Sequence, residues 1–498
     1  DQLIMRPYHA PVRSFGECAS FLGARVEKSE IEIRGICSDS RSVEADDLFV
    51  ALPGLHHHGI EFLAGARARG CRAIATDDAG AKVARSESED AALVVVKDPR
   101  TILGPLSSWF YGIPSSQMKV LGVTGTNGKT TTTYLLHQIL SASGQEAGLI
   151  GTIENRIGSE VVAATHTTPE ADSLQRLLAT MNERHCTSVA MEVSSHALAL
   201  HRVQGTRFHA VAFTNLSQDH LDFHQTMENY FQAKRSLFTT DYADRALMMI
   251  DDDYGARLFK EVSIPSLSLS VRNPKANWHY SSVERISGGY ALSIRGEGGV
   301  LIEGTLRLLG EHNLANALVA VAMATEAGVD PLVIGRTLEL LTPAPGRLES
   351  VDCGQDFIAL VDYAHTPDAV TRILSTVRGF TTGKVIAVLG CGGDRDATKR
   401  PLMGKALLDG ADHAIFTSDN PRSEKPSAIL ADMTRGLQLH SDSKIIEDRK
   451  EAIVAAVRSA AAGDVVIILG KGHESGQEIA GVKHPFSDQK ILAEVIAP

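Results

Sequence analysis

The sequence predicts an α/β protein of three consecutive blocks with mainly parallel sheets. Three observations carry that prediction. Near-continuous apolar runs of strand length (Val120 to Val123, Ile358 to Tyr363, Val385 to Leu389, His413 to Thr417, Val465 to Leu469) alternate with helical stretches, as in a sheet buried on both faces. The chain carries 43 glycines but only 5% aromatic residues, which suits tight turns between short elements. Polar loops follow the strands, where parallel sheets gather their ligands. At 498 residues and 43% hydrophobic, the chain is long enough for two to four domains with full cores.

The first block, residues 1–98, is a smaller N-terminal α/β unit. Ile31 to Ile36, Asp47 to Leu52, Cys71 to Ala75 and Leu93 to Val96 read as strands, and Glu61 to Arg69 as a helix. Ser38-Asp-Ser40-Arg41 places small hydroxyls and an arginine beside a strand, a pattern that serves a polar ligand or a capped turn. His56-His57-His58 lies in a glycine-flanked loop, where adjacent histidines do not converge on a metal as a helical i, i+4 pair would. Pro99 ends the last strand and sets the boundary.

The second block, residues 99–344, is organised by the strand Val120 to Val123, the turn Thr124 to Gly128 and the helical stretch that Lys129 opens. In that order they aim backbone N–H groups and a helix N-terminus at one anion. Gly125, Thr126, Asn127 and Gly128 form the phosphate loop. Lys129 reaches the outer phosphates, and the Thr130 hydroxyl, beside Thr131, suits a Mg²⁺ ion. Val123 stands where the strict G-x-x-x-x-G-K-[ST] pattern has its first glycine, yet Gly-Lys-Thr after an apolar strand still reads as an ATP or GTP site. His166-Thr167-Thr168-Pro169 is a polar turn before a helix. One later strand ends in Glu192, Ser194 and His196, another in Asn215, Asp219 and His220. Capping explains Ser194 and Asp219 singly; Glu192 and His220 together point to a metal–phosphate site. Asn313 and Asn316, one turn apart, suit either a base edge or a helix cap. Pro343 to Arg347 closes the block.

The third block, residues 345–498, is expected to be Rossmann-like. Its strands run into Asp362-Tyr-Ala-His-Thr-Pro367, Gly390-Cys-Gly-Gly-Asp-Arg-Asp396, Asp419-Asn-Pro-Arg422 and Gly470-Lys-Gly-His-Glu474. Parallel strands put all four loops on one edge, where two arginines, a lysine and a histidine converge.

Composition narrows the function. A formal charge of −11 argues against a general nucleic-acid binder. Six scattered cysteines without a C-x-x-C pair fit free thiols in a reducing cytosol. No signal-like or membrane-spanning run is present, so a cytoplasmic protein without membrane insertion is expected; Asp1 in place of a methionine points to a start further upstream.

Taken together, Thr124-Gly-Thr-Asn-Gly-Lys-Thr130, Met191-Glu-Val-Ser-Ser-His196, Asn215-Leu-Ser-Gln-Asp-His-Leu-Asp222, His312-Asn-Leu-Ala-Asn316, Asp362 to Pro367 and Gly393-Asp-Arg-Asp396 resemble the Mur ligase family in register over almost the whole chain. The resemblance implies three domains, for a nucleotide-sugar, ATP and an amino acid in that order. It implies an ATP-dependent amide ligase acting through an acyl phosphate, expected as a monomer. The loops are most similar to members that add meso-2,6-diaminopimelate to UDP-MurNAc-L-Ala-D-Glu in peptidoglycan precursor synthesis. By the same resemblance, Ser40, Thr167, Thr168, Ser194 and Arg202 would hold the UDP-sugar. Thr130, Glu192 and His220 would hold Mg²⁺, and Asn313, Asn316, Arg347 and Asp362 the nucleotide. Lys129, Glu192, His220 and Lys234 would serve catalysis, with Lys234 carbamylated by CO₂ as a further metal ligand; from the sequence alone Lys234 reads as a solvated helix lysine. Arg395, Asp419, Asn420, Arg422, Gly470 and Glu474 would form the amino-acid site. Arg422 suits the second carboxylate of diaminopimelate, where lysine offers only an ammonium. Asp46 replaces a usual glycine and His58 a common aspartate, which bears on the shape of the uridine pocket. A lysine-adding ligase, a folylpolyglutamate synthetase and a non-catalytic nucleotide-switched module are the rival readings.

Overall fold

The computed structural model describes residues 6–54, 57–88, 91–286, 289–379 and 381–497; His56 and the side chain of Asp222 lie outside the described residues. Four parallel strands, Gly35–Cys37, Asp47–Val50, Ala73–Thr76 and Leu93–Val95, form the first sheet. The run Ile31 to Ile36, expected as one strand, is two. Glu32–Ile33 pairs antiparallel with Arg13–Ser14, whereas Gly35–Cys37 pairs parallel with Asp47–Phe49. Between them Arg34 gives its N–H to Asp46 O (2.8 Å), and any Cβ on Gly35 would collide with the Asp47 carboxylate. The chain changes partner at a residue that only glycine fits. Pro99 not only follows a strand but opens the helix Pro99–Phe110, whose start the Asp98 side chain caps. This helix packs Leu103, Leu106 and Phe110 into one core with Ile36, Leu48 and Ala75.

The central sheet has eleven strands. Seven are parallel, in the order Ala147–Ile150, Ser188–Glu192, Lys119–Thr124, Ala210–Phe213, Ala246–Met249, Ser266–Ser270 and Trp278–Ile286. Antiparallel strands extend both edges: Glu154–Ile157 and Glu160–Ala163 at one, Gly289–Arg295 and Leu301–Leu306 at the other. One face packs on the helices Lys129–Ala142 and Glu311–Glu326 through Leu135, Ile139 and Leu318; the other packs on Ala171–Glu183, Met227–Arg235 and Asp253–Glu261 through Leu178, Phe231 and Leu258. Fully burying each such side chain is worth about 1.5–3 kcal/mol. Strand order reverses beside Lys119–Thr124, which opens a crevice at its carboxyl end.

In the third sheet Ile358–Asp362, Val465–Leu469, Val385–Cys391, His413–Ser418 and Lys444–Ile445 run parallel, with Glu349–Ser350 antiparallel at one edge. The four polar loops leave this sheet at one edge, as the apolar runs predicted. No helix among the described residues is long and apolar enough to cross a membrane.

Candidate active site

The strand Lys119–Thr124 delivers the chain to Gly125 and Gly128, with φ of 151° and 89°. Neither position has room for a side chain: a Cβ on Gly125 would strike Thr214 Oγ1, and one on Gly128 would strike Asn316 Oδ1. The helix Lys129–Ala142 then begins without a side-chain cap, so its first N–H groups face the crevice. Asn215 braces the loop. Its Oδ1 accepts from Asn127 N–H (2.9 Å), its Nδ2 donates to Asn127 O (3.0 Å), and its carbonyl accepts from Thr126 N–H (2.9 Å). Lys129 Nζ donates to the carbonyls of Gly125 (2.8 Å) and Thr126 (3.0 Å). Burial lowers the Lys129 pKa, and the negative charges of Glu192 and Asp219 oppose that fall.

Glu192 ends the neighbouring strand, fully buried. It accepts from Thr130 Oγ1 (3.0 Å), Thr152 N–H (2.8 Å) and Thr152 Oγ1 (3.1 Å), all neutral donors. Thr168 Oγ1 donates to Glu192 O (2.9 Å) and accepts from Ser194 N–H (3.1 Å). Thr167 Oγ1 lies 3.1 Å from Thr152 Oγ1, and Arg202 donates to Thr168 O (3.2 Å) while pairing with Glu170 (2.8 Å). Thr167, Thr168, Ser194 and Arg202 therefore share one patch beside Glu192, although the Ser194 hydroxyl also caps the next helix through Ala197 N–H (3.1 Å).

Lys234 is not the solvated lysine that its helix suggests. It is buried, donates to Gly125 O (2.8 Å) and lies 4.9 Å from the centre of the Tyr230 ring. Burial, reinforced by the like charge of Lys129, holds its pKa well below that of an ordinary lysine. His220 sits in the left-handed region (φ 53°). Burial pushes its pKa down to about 4, against the pull of Asp219 and with Lys129 adding to the fall, so the imidazole is neutral. No three His, Cys, Asp or Glu side chains converge as a ready-made metal cage among the described residues. A buried carboxylate with neutral donors and a threonine hydroxyl beside it does fit Mg²⁺, which takes one or two carboxylates and completes its shell with water and phosphate. Of the histidine triplet, His58 is structural: its ring accepts from Ile60 N–H (3.1 Å) and meets Asp77 (3.1 Å).

On the helix Glu311–Glu326, Asn316 Nδ2 donates to Asn313 Oδ1 (3.1 Å), and Asn313 Nδ2 to Leu309 O (2.8 Å). Neither caps the helix, which Gly310 begins. A cleft of about 360 Å³ opens beside them, lined by Leu309, Asn313, Pro345 and Leu348. Arg347 stacks over Tyr363 (4.7 Å to the ring centre), and Asp362 accepts from Leu348 N–H (2.7 Å) and Ala364 N–H (2.8 Å). Ser40 is half-buried on the turn after Gly35–Cys37 and makes no hydrogen bond through its hydroxyl among the described residues. Its neighbour Ser38 instead binds Asp172 of the central block, through N–H (2.8 Å) and Oγ (2.9 Å).

The C-terminal loops meet one another. Arg422, also left-handed (φ 53°), donates from Nη1 to Gly393 O (2.7 Å), and Gly393 N–H donates to Asn420 O (2.8 Å). Arg395 and Arg422 flank Gly392, Arg395 on the exposed side. Asn420 Nδ2 donates to Glu474 Oε2 (2.9 Å), and Gly470 N–H donates to Asp362 O (3.1 Å). Burial opposes ionisation of Glu474, but Lys471, Asn420 and His473 together outweigh it, so its pKa lies below the ordinary value. Lys399 crosses to the central block and binds Asp219 Oδ1 (3.2 Å).

Three family models match the chain: the Mur ligase middle domain over residues 123–324, the Mur ligase glutamate ligase domain over 346–472, and the Mur ligase family catalytic domain over 32–111. A UDP-N-acetylmuramoyl-L-alanyl-D-glutamate–2,6-diaminopimelate ligase of Streptomyces coelicolor is 45% identical over 497 residues, covering 99% of this chain and 98% of its own. The chain belongs to the Mur ligase family. A relative of the same name from Aquifex aeolicus is 42% identical over 93% of this chain and 94% of its own. A solved structure of that name superposes with a TM-score of 0.69 at 32% identity, covering 98% of this chain and 99% of its own. Mycobacterium tuberculosis folylpolyglutamate synthase, at 16% identity and a TM-score of 0.61, covers 74% of this chain and 92% of its own, and shares the fold alone.

Sequence reasoning missed three contributors in this Mur ligase, Thr152, Thr214 and Lys399, and placed Lys471 among the converging loop groups without its partners. Thr152 and Thr214 carry no motif signal. Lys399 follows Gly393-Asp-Arg-Asp396, and Lys471 lies between two glycines at a strand end, but only the folded chain gives either its partners.

Proposed function

We propose that this chain is an ATP-dependent amide ligase that adds meso-2,6-diaminopimelate to the D-glutamate of UDP-MurNAc-L-Ala-D-Glu. Relatives bearing that activity in their names match it end to end. One observation carries the reading: Lys399 of the amino-acid block binds Asp219 beside the phosphate loop, at 3.2 Å. A carboxylate activated at the loop is therefore within reach of an amine held by the C-terminal loops.

Each group has a role in that reading. Lys129 and the N–H groups of Gly125 to Thr131 position the ATP phosphates, with Asn313, Asn316, Arg347 and Asp362 holding the nucleoside. Ser40, Thr167, Thr168, Ser194 and Arg202 hold the UDP-linked dipeptide with its terminal carboxylate toward the γ-phosphate. Thr130, Glu192 and His220 would hold Mg²⁺, which when bound offsets charge on the phosphate oxygens. The lowered pKa of Lys234 favours addition of its amine to CO₂, which would give a carbamate and a proton and supply a further anionic ligand. The carboxylate takes the γ-phosphoryl group and ADP leaves. The amine attacks the acyl phosphate, the new C–N bond forms, the C–O bond to phosphate breaks, and the amine proton is released. Arg422 and Arg395 bind the carboxylates of the amino acid, and Asp419, Asn420, Gly470 and Glu474 bind its ammonium end. The blocks 1–98, 99–344 and 345–498 serve as sugar, ATP and amino-acid domains of a monomer. ATP and UDP-sugars are cytoplasmic, which sets the compartment.

Phosphate release tests the reading. It should require ATP, UDP-MurNAc-L-Ala-D-Glu and diaminopimelate together, and ¹⁸O from the D-glutamate carboxylate should appear in the released phosphate. Equal turnover with L-lysine would overturn the diaminopimelate assignment, turnover with L-lysine alone would assign the lysine-adding reaction, turnover with folate and glutamate the folyl reaction, and no dependent release a binding module.

A further inference from the structure

Lys471 occupies the centre of the C-terminal site, and its role is not explained by packing. It is fully buried, at the end of the strand Val465–Leu469, between Gly470 (φ 107°) and Gly472 (φ 51°). Its ammonium has three protons and three acceptors: Asp419 Oδ1 (3.3 Å), Asn420 Oδ1 (3.0 Å) and Glu474 Oε2 (2.9 Å). These acceptors belong to two loops carried by different strands, so a single side chain ties the Asp419–Arg422 loop to the Gly470–Glu474 loop.

The contacts also dictate orientation. Asn420 Oδ1 receives both Lys471 Nζ and Glu478 N–H (2.9 Å), so the amide oxygen must face those donors. Its Nδ2 is thereby turned to Glu474 Oε2 (2.9 Å). Glu474 then has one oxygen saturated by an ammonium and an amide, while Oε1 makes no hydrogen bond among the described residues and the side chain is 32% exposed. One carboxylate oxygen is thus fixed from behind and the other presented to solvent, a geometry suited to a substrate ammonium.

We propose that Lys471 is a positioning residue of the amino-acid site, which aims Glu474 Oε1 at the ammonium of the incoming amino acid by anchoring Asp419, Asn420 and Glu474 Oε2. The inference rests on reading these loops as the amino-acid site. Lys471 acts through Glu474 and does not itself touch substrate.

The test is steady-state kinetics on the full chain, with diaminopimelate, ATP and UDP-MurNAc-L-Ala-D-Glu varied in turn. Lys471→Met should raise the KM for diaminopimelate tenfold or more and leave the other two KM values within twofold. Glu474→Gln should raise the same KM, and adding Lys471→Met to it should cost no more than about threefold further, because the lysine has lost the group it positions. A diaminopimelate KM within twofold of the parent, a joint rise of all three KM values, or effects that multiply in the double variant would each overturn the proposal. Should Lys471→Met not fold, Lys471→Met/Asp419→Asn removes one buried charge of each sign, and the same criteria apply against Asp419→Asn alone. If Glu474→Gln and Arg422→Ala leave every KM unchanged, it is the amino-acid-site reading that fails; if they raise the diaminopimelate KM and Lys471→Met does not, only the role of Lys471 falls.

Discussion

Lys129 and Arg422 are both cations at the head of a loop, but their surroundings set different expectations. Lys129 is half-buried and held by two backbone carbonyls, with Glu192 and Asp219 nearby, so its charge is placed to serve phosphate oxygens. Lys129→Met keeps the stem and removes the charge. Loss of one preorganised donor to a transition state costs about 10²–10³ in rate, so kcat should fall by about that factor while the KM for diaminopimelate changes little, as measured by initial rates. Arg422 has one guanidinium nitrogen committed to Gly393 O and a looser approach to Glu478 (3.6 Å). It therefore contributes less than a full bidentate fork. A hydrogen bond to a charged group is worth about 1.5–3 kcal/mol, so Arg422→Ala should raise the diaminopimelate KM about 10- to 100-fold, and the KM for ATP should stay put. An equal rise in both would make Arg422 a loop-shaping residue instead.

Two turns show how element geometry decides which glycines are replaceable. Asp46 stands in the left-handed region (φ 65°), just before the strand Asp47–Val50, at the position where the resembling family usually has glycine. The residue type differs because aspartate tolerates that region better than most, and its carboxylate approaches Arg72 (3.6 Å) and Arg34 (3.8 Å). Both arginines are largely exposed, so those pairs are worth at most about 1 kcal/mol, close to the strain that glycine would relieve. Asp46→Gly should leave unfolding stability within about 1 kcal/mol of the parent in urea titrations. Gly128→Ala adds a methyl at φ 89° against Oδ1 of the buried Asn316, a side chain that its bond to Asn313 (3.1 Å) holds in place, and it should abolish ATP binding by calorimetry while the fold persists. The same scale explains what was legible beforehand. Strands buried on both faces announce themselves as apolar runs, so the phosphate-loop strand and the four C-terminal strands were readable. Trp278–Ile286 is mostly exposed from Ser281 on, and the strands Gly289–Arg295 and Leu301–Leu306 mix buried with partly or fully exposed residues, so none of the three was. The loop motifs exposed Lys129, Glu192 and Arg422, but the bonds from Thr152 to Glu192 and from Lys399 to Asp219 join residues 40 and 180 positions apart, which no local pattern encodes.

Two of the joints between the blocks differ in character. Ser38 of the first sheet binds Asp172, which is buried beside the equally buried Arg176, so water and salt have little access to that joint. One link between the central and C-terminal blocks runs from Asp219 to Lys399, whose side chains are 11% and 31% exposed. Solvent reaches it, and screening at 0.15 M ionic strength acts over about 8 Å. An ion pair of this kind contributes about 1 kcal/mol or less, equivalent to about a fivefold change in the population of the joined arrangement. The N-terminal joint should therefore hold while the C-terminal joint yields. Lys399→Ala should lower kcat/KM for diaminopimelate no more than about fivefold, with ATP affinity unchanged. Raising the salt concentration should erode the parent's kcat/KM toward that of the variant, because both treatments remove the same interaction. A variant that loses activity a hundredfold, or a parent whose rate ignores salt while the variant's does not, would place Lys399 on the reacting groups rather than at the joint.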